Sequence, residues 1–174
     1  MGCDIHAFLE IESGTAGEYD SLYEVQFHLP RHYELFAALA GVRGELKPLY
    51  PPRGIPTGLG VYGFHVCYRQ VVCHTDALGY RGSNFVLPYE VGRAQILPGS
   101  IGERWGASKL GYVINNAMEA PTWLLLSELE AVTEYAGLHA DELPAEYRFL
   151  LSTMAAAEAT FGRRTRIVLW FDSV

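Results

Sequence analysis

The sequence predicts an α+β fold, a mostly antiparallel sheet with its N- and C-terminal strands paired and helices packed on one face. Three observations predict it. The chain opens and closes on apolar, strand-like segments, and blocks with helical spacing lie between them. Its 174 residues, 49% hydrophobic and 19% charged, suffice for one core. No internal repeat or linker divides them, so residues 1–174 are expected to form a single domain.

Residues 4–12 read as the first strand. Alternation puts Asp4, His6, Phe8 and Glu10 on one face and Cys3, Ile5, Ala7, Leu9 and Ile11 on the other. The second set is apolar and predicts the core face. Ser13-Gly14-Thr15-Ala16-Gly17 is a turn, and Tyr19 to Phe27 a second strand in a hairpin with the first. After Pro30, residues 31–40 carry Leu35, Phe36, Leu39 and Ala40 at helical spacing, with Gly41 as the stop. Val42 to Gly60 is rich in Gly and Pro. Its Pro51-Pro52-Arg53-Gly54-Ile55-Pro56 excludes regular helix or central strand and predicts a long ordered loop.

Val61 to Thr75 reads as a strand or hairpin, with short strands at Asn84–Leu87 and Arg93–Leu97 and a loop from Gly99 to Gly111. Ser127 and Glu130 form a capping-box pattern that starts a helix near Ser127. Asp141 is an N-cap candidate for an Ala-rich helix over 142–160, and Thr165 to Phe171 is the final strand.

The net charge of −7 argues against non-specific nucleic-acid binding, which needs a basic face. It leaves room for a small anion held by local arginines. No apolar run approaches the roughly 20 residues of a membrane span. The N-terminus lacks the basic and apolar regions of a signal peptide. Three cysteines suit a reducing cytoplasm better than a disulfide framework. Met-Gly-Cys suggests acylation, but His6 stands where myristoylation needs Ser or Thr. A cytoplasmic protein is expected, without membrane partner.

Several blocks carry a resemblance. Met1-Gly2-Cys3-Asp4-Ile5-His6 resembles the opening of a family of small bacteriophage and prophage proteins. Residues 31–44, from Arg31-His32-Tyr33-Glu34-Leu35-Phe36 to Gly44, resemble that family's R-N-Y-x-L-F-x-x-L-A-x-V-R block. Pro52-Arg53-Gly54-Ile55-Pro56 resembles its P-R-G-L-P loop. Trp105-Gly106, Thr122-Trp123-Leu124 and Arg166 to Asp172 resemble its Trp-Gly, H-S-x-S-W-L and R-I-V-F-W-F-D segments. The chain departs from the family at Glu119-Ala120-Pro121-Thr122, where His-Ser-x-Ser is usual. Any role of that histidine is absent here. The resemblance implies a phage accessory function such as counter-defence, in the cytoplasm of the host cell.

The titratable residues suggest the chemistry. Asp4 and His6, two apart on a strand face, suit acid–base work, with the carboxylate orienting the imidazole. Arg31, Arg43 and Arg53 flank the first helix and its loop, and arginine forks suit phosphate oxygens. Tyr33, Trp105 and Trp123 are candidates to stack a base, and Thr122 to hydrogen-bond a ligand. His65, Cys67, Cys73 and His74 lie close together, but Cys67-x5-Cys73 is not a knuckle spacing. No metal or cofactor is assigned.

Three readings follow. The first is a binder that sequesters a small anionic, nucleotide-like immune signal such as a cyclic nucleotide. The second is a phosphodiesterase-type enzyme that degrades it through Asp4 and His6. The third is an inhibitor that binds a host defence enzyme through an acidic surface. The missing His-Ser pattern favours the binder. A second copy of the chain is an optional partner.

Overall fold

The computed structural model describes residues 3–74, 104–105, 108–115, 117–139 and 141–173. The strands expected at Asn84–Leu87 and Arg93–Leu97 lie outside the described residues. The chain divides into two compact units, one of Met1–Gly63 with Met118–Val174, the other of Phe64–Ala117.

The first unit is built on the two ends of the chain. Strand β1 (Cys3–Glu12) pairs antiparallel with β8 (Thr165–Ser173), from Cys3 opposite Ser173 to Ile11 opposite Thr165. The other edge of β1 holds two short strands, β2 (Tyr19–Ser21) beside Glu10–Glu12 and β3 (Phe27–Leu29) beside Ile5–Ala7. Residues 19–27 are therefore not one strand. The intervening residues leave the sheet and return. Strand β7 (Glu119–Leu125) pairs with β8 and completes the order β2-β1-β8-β7. Its register shifts between Glu119 and Thr122, where Ala120 takes a positive φ of 43° in a bulge.

The predicted core face is the core face. Cys3, Ile5, Ala7 and Leu9 meet Ile167, Leu169 and Phe171 in one buried cluster. Three helices cover it, α1 (Tyr33–Ala40), α3 (Leu126–Tyr135) and α4 (Ala145–Phe161), through Leu35, Phe36, Leu39, Leu129, Val132, Leu150 and Met154. Each such aliphatic or Phe side chain contributes about 1.5–3 kcal/mol by leaving water. Helix α1 ends as expected at Gly41, whose φ of 71° is the left-handed cap that glycine adopts without strain.

Two boundaries differ from the sequence expectation. Helix α3 starts at Leu126, and Glu128 reaches back to accept the Leu125 N–H at 3.0 Å. Ser127 thus lies in the first turn rather than at the cap. Helix α4 starts at Ala145 after Pro144, leaving Asp141 in the preceding turn. At its far end Glu158 Oε1 accepts both the Thr165 N–H and hydroxyl, at 2.7 and 2.9 Å, tying α4 to β8.

The stretch read as strand from Val61 splits into a helix, α2 (Val61–Cys67), and strand β4 (Tyr68–His74). Its β-branched and aromatic residues favour strand. Tertiary packing overrides that preference at Gly63, where a Cβ would stand 2.7 Å from Glu10 Oε1 and 2.8 Å from the Phe8 ring. Only glycine lets the helix start lie so close to the second face of the sheet.

In the second unit, β6 (Ser108–Ile114) pairs antiparallel with β4 on one side and β5 (Arg104–Trp105) on the other. Asn115 closes this sheet on the end of α2. Its N–H donates to the Cys67 carbonyl at 2.8 Å and its side-chain amide to the Val66 carbonyl at 3.3 Å. No helix among the described residues is long and apolar enough to cross a membrane.

Candidate functional site

The face of the sheet opposite the three helices carries the polar residues of both chain ends. Strand alternation sets Asp4, His6 and Glu10 on β1 beside Asp172, Trp170 and Arg166 on β8. These residues gather in two clusters. Asp172 and Arg166 are six residues apart on one strand, so the clusters lie about 20 Å apart.

At the first end, His6 Nε2 lies 2.8 Å from Asp172 Oδ2. The other carboxylate oxygen, Oδ1, accepts the Asp4 N–H at 3.1 Å. Asp172 is thus fixed at both oxygens and in turn fixes the imidazole. The ring of His6 stacks on Trp170, 5.4 Å between centroids, and meets the edge of His28 at 4.8 Å. His6 is 16% exposed and Asp172 32%. With a proton on Nε2 donated to Asp172, Nδ1 carries a lone pair. That Nδ1 is buried and has no hydrogen-bond partner among the described residues.

Asp4 does not orient His6. Its Oδ1 accepts from Arg31 Nε at 2.6 Å, and this bond first of all holds the Asp4 carboxyl below the usual range. The carboxylate on the imidazole is Asp172. Cys3 faces the core, where burial pushes its thiol up against the opposing pull of the Arg43 guanidinium. Asp4, His6 and Arg31 therefore share this end of the polar face, while Arg43 meets Cys3 on the core side.

The second cluster holds Arg53, Thr122 and Trp123. The Pro/Gly loop lies along β7, with the Arg53 N–H donating to Thr122 Oγ1 at 3.2 Å and the Gly54 N–H to the Pro121 carbonyl at 2.9 Å. The Arg53 guanidinium grips Glu128 with two bonds of 2.8 and 2.6 Å. It also lies over Trp123 at 4.6 Å and Tyr50 at 5.3 Å. Arg166 continues the stack from the sheet side, 3.6 Å over Tyr19 and 5.9 Å from Trp123. Its Nε bonds Glu10 Oε2 at 2.8 Å, while Nη1 and Nη2 donate to the carbonyls of Thr57 and Gly58 at 3.1 Å. The Gly60 N–H completes the Glu10 carboxylate at 2.8 Å. Every charge here is paired inside the protein, and a base stacking on the Arg53 side of Trp123 would have to displace that guanidinium.

Tyr33 lies half exposed on α1 with its ring edge on Phe36. Trp105 belongs to β5 of the second unit. The candidate residues of the first unit thus fall in two clusters, Asp4, His6 and Arg31 at one end and Arg53, Thr122 and Trp123 at the other, with Arg43 on the core side and Tyr33 on α1, while Trp105 stands apart in the second unit. Sequence reasoning missed Asp172, Trp170 and His28. A signal was present for two of them. In Trp170-Phe171-Asp172, the Trp and Asp alternate as Asp4 and His6 do, and antiparallel pairing of the termini sets them side by side. Among the described residues no group of three His, Cys, Asp or Glu side chains could hold a metal ion.

No protein-family model, curated protein or solved structure matches this chain.

Proposed function

We propose that the protein binds a small anionic, nucleotide-like ligand at the His6–Asp172 end of the terminal strand pair. The observation that carries this reading is the buried Nδ1 of His6, which has no partner among the described residues while Nε2 is fixed on Asp172. A buried acceptor left without a partner costs about 1–3 kcal/mol. A donor on the ligand, such as an N–H of a base, relieves it. Arg31 supplies positive charge at the same end, and the Arg31–Asp4 pair, each nearly half exposed, can open towards a phosphate. The nucleotide class, and a role in sequestering an immune signal in a phage-infected cell, rest on the sequence resemblance.

A second reading is favoured by the same pair. An imidazole held by a carboxylate is also a general base, so a phosphodiesterase-type enzyme would use His6 for proton transfer, with Asp172 rather than Asp4 as its partner.

One experiment tests both. The protein is incubated with a panel of cyclic mono- and dinucleotides, heat-denatured, and the supernatant is separated by HPLC. Ligand depleted before heating and released intact is expected for the binder, and new products for the enzyme. No depletion and no product from any nucleotide contradicts both.

A further inference from the structure

Helix α4 buries one side in the core and leaves a flank open. An apolar groove of about 430 Å³ runs along it, walled by Leu22 and Tyr23 and by Phe149, Thr153, Ala156 and Thr160 of the helix. Phe149 and Phe161 are each 59% exposed and Tyr23 51%. Aromatic side chains bury about 150–250 Å² each, so three so exposed along one groove are more than the scattered apolar residues of an ordinary surface.

The pattern on the helix is self-complementary. Glu146, Phe149, Thr153, Ala156 and Thr160 follow at spacings of three and four, which places them in one row along the helix. The bulky Phe149 stands near one end of this row and the small Ala156 and Thr160 towards the other. Acidic Glu146 is in the first turn, and basic Arg163 follows just beyond the last. Both are exposed. Turned end for end about a twofold axis between Thr153 and Ala156, the row fits itself. Phe149 of each copy lies over the small residues of the other, and Glu146 meets the partner's Arg163. Antiparallel helix dipoles add to the match.

We propose that this protein forms a twofold homodimer through the exposed flank of α4, with Phe149 packed across the axis and Glu146 paired with the partner's Arg163. The occupant of the groove is a second copy, because size and charge both complement under that one operation. An isologous contact makes each pair twice, so a single change is felt twice. This inference is independent of the His6 site.

Sedimentation velocity of the full chain from about 1 µM to about 1 mM tests it. A concentration-dependent monomer–dimer equilibrium is expected. Ala156→Arg, at an exposed helical position, is expected to leave a folded monomer, with circular dichroism as the control. Glu146→Arg and Arg163→Glu are each expected to weaken the dimer about fivefold or more, and the two combined to restore it. A chain that stays monomeric throughout overturns the proposal. So does a dimer untouched by Ala156→Arg, which would use another face. A dimer that the combined charge reversal fails to restore overturns the antiparallel arrangement.

Discussion

His6 and Arg166 show two ways a polar side chain survives against a sheet. Arg166 is 3% exposed and Glu10 is fully buried, yet both are bonded on several sides, Arg166 to Glu10 and to the Thr57 and Gly58 carbonyls, and Glu10 also to the Gly60 N–H. Removing one partner leaves a buried charge alone. Arg166→Met should therefore cost about 3–5 kcal/mol, and Glu10→Gln with Arg166→Met markedly less than the sum of the single changes. A double-mutant cycle by urea unfolding measures this. Additive losses would mean that the pair is not coupled. His6 is the opposite case, with Nε2 bonded and Nδ1 without a partner among the described residues. His6→Phe keeps the stacking on Trp170 and removes both the Nδ1 that no described residue partners and the Nε2 bond to Asp172, losses and gains that largely offset. It should leave stability within about 1 kcal/mol of the wild type or raise it, while abolishing nucleotide depletion. A large loss of Tm with binding intact would make His6 a structural residue.

At the scale of elements, the start of α2 is decided by space. Alanine normally improves a helix by up to about 1 kcal/mol over glycine. At Gly63 the new methyl would meet Glu10 and Phe8 below contact distance. Overpacking of this kind costs about 1–3 kcal/mol, so Gly63→Ala should destabilise the protein on balance. A rise in Tm would show that α2 sits further from the sheet. The same element marks the limit of what the sequence reveals. The terminal strands were legible because one face of each is apolar at every second residue, and the stop at Gly41 because a left-handed cap wants glycine. Val61–Cys67 was not legible. Its residues favour strand, and the start of the helix packs through Tyr62 and Gly63 against Phe8 and Glu10, more than fifty residues away. The site was half legible for a similar reason. Asp4-x-His6 could be read directly, but the carboxylate on the imidazole depends on the register of β1 against β8, which local pattern does not fix. The grip of Arg53 on Glu128 spans 75 residues and left no local trace.

At the scale of the molecule, the Arg53–Glu128 ion pair ties the loop after α1 to helix α3, beside the bonds of that loop to β7. Arg53 first of all, with the Leu125 N–H, holds the Glu128 carboxyl below its ordinary range against the effect of burial. A carboxylate depressed in the folded state adds stability above its unfolded pKa, and this is lost as pH falls through the folded value. The protein should therefore lose stability from about pH 5 downwards. Glu128→Gln should cost about 1 kcal/mol at pH 7, and its difference from the wild type should shrink as the pH is lowered through that window. Thermal melts across the acid range measure both. A difference that stays constant would assign the loss to packing rather than charge.

In the proposed site the two paired terminal strands meet, with Asp172 on Nε2 of His6 and Nδ1 left for a ligand. A long-range ¹H–¹⁵N spectrum of the imidazoles, recorded with and without a nucleotide that the protein depletes, tests it most directly. The expected result is an Nε2 that carries the proton shared with Asp172, and a shift of the Nδ1 resonance when the nucleotide binds. A His6 protonated on Nδ1, or an Nδ1 resonance unmoved at saturation, would contradict it.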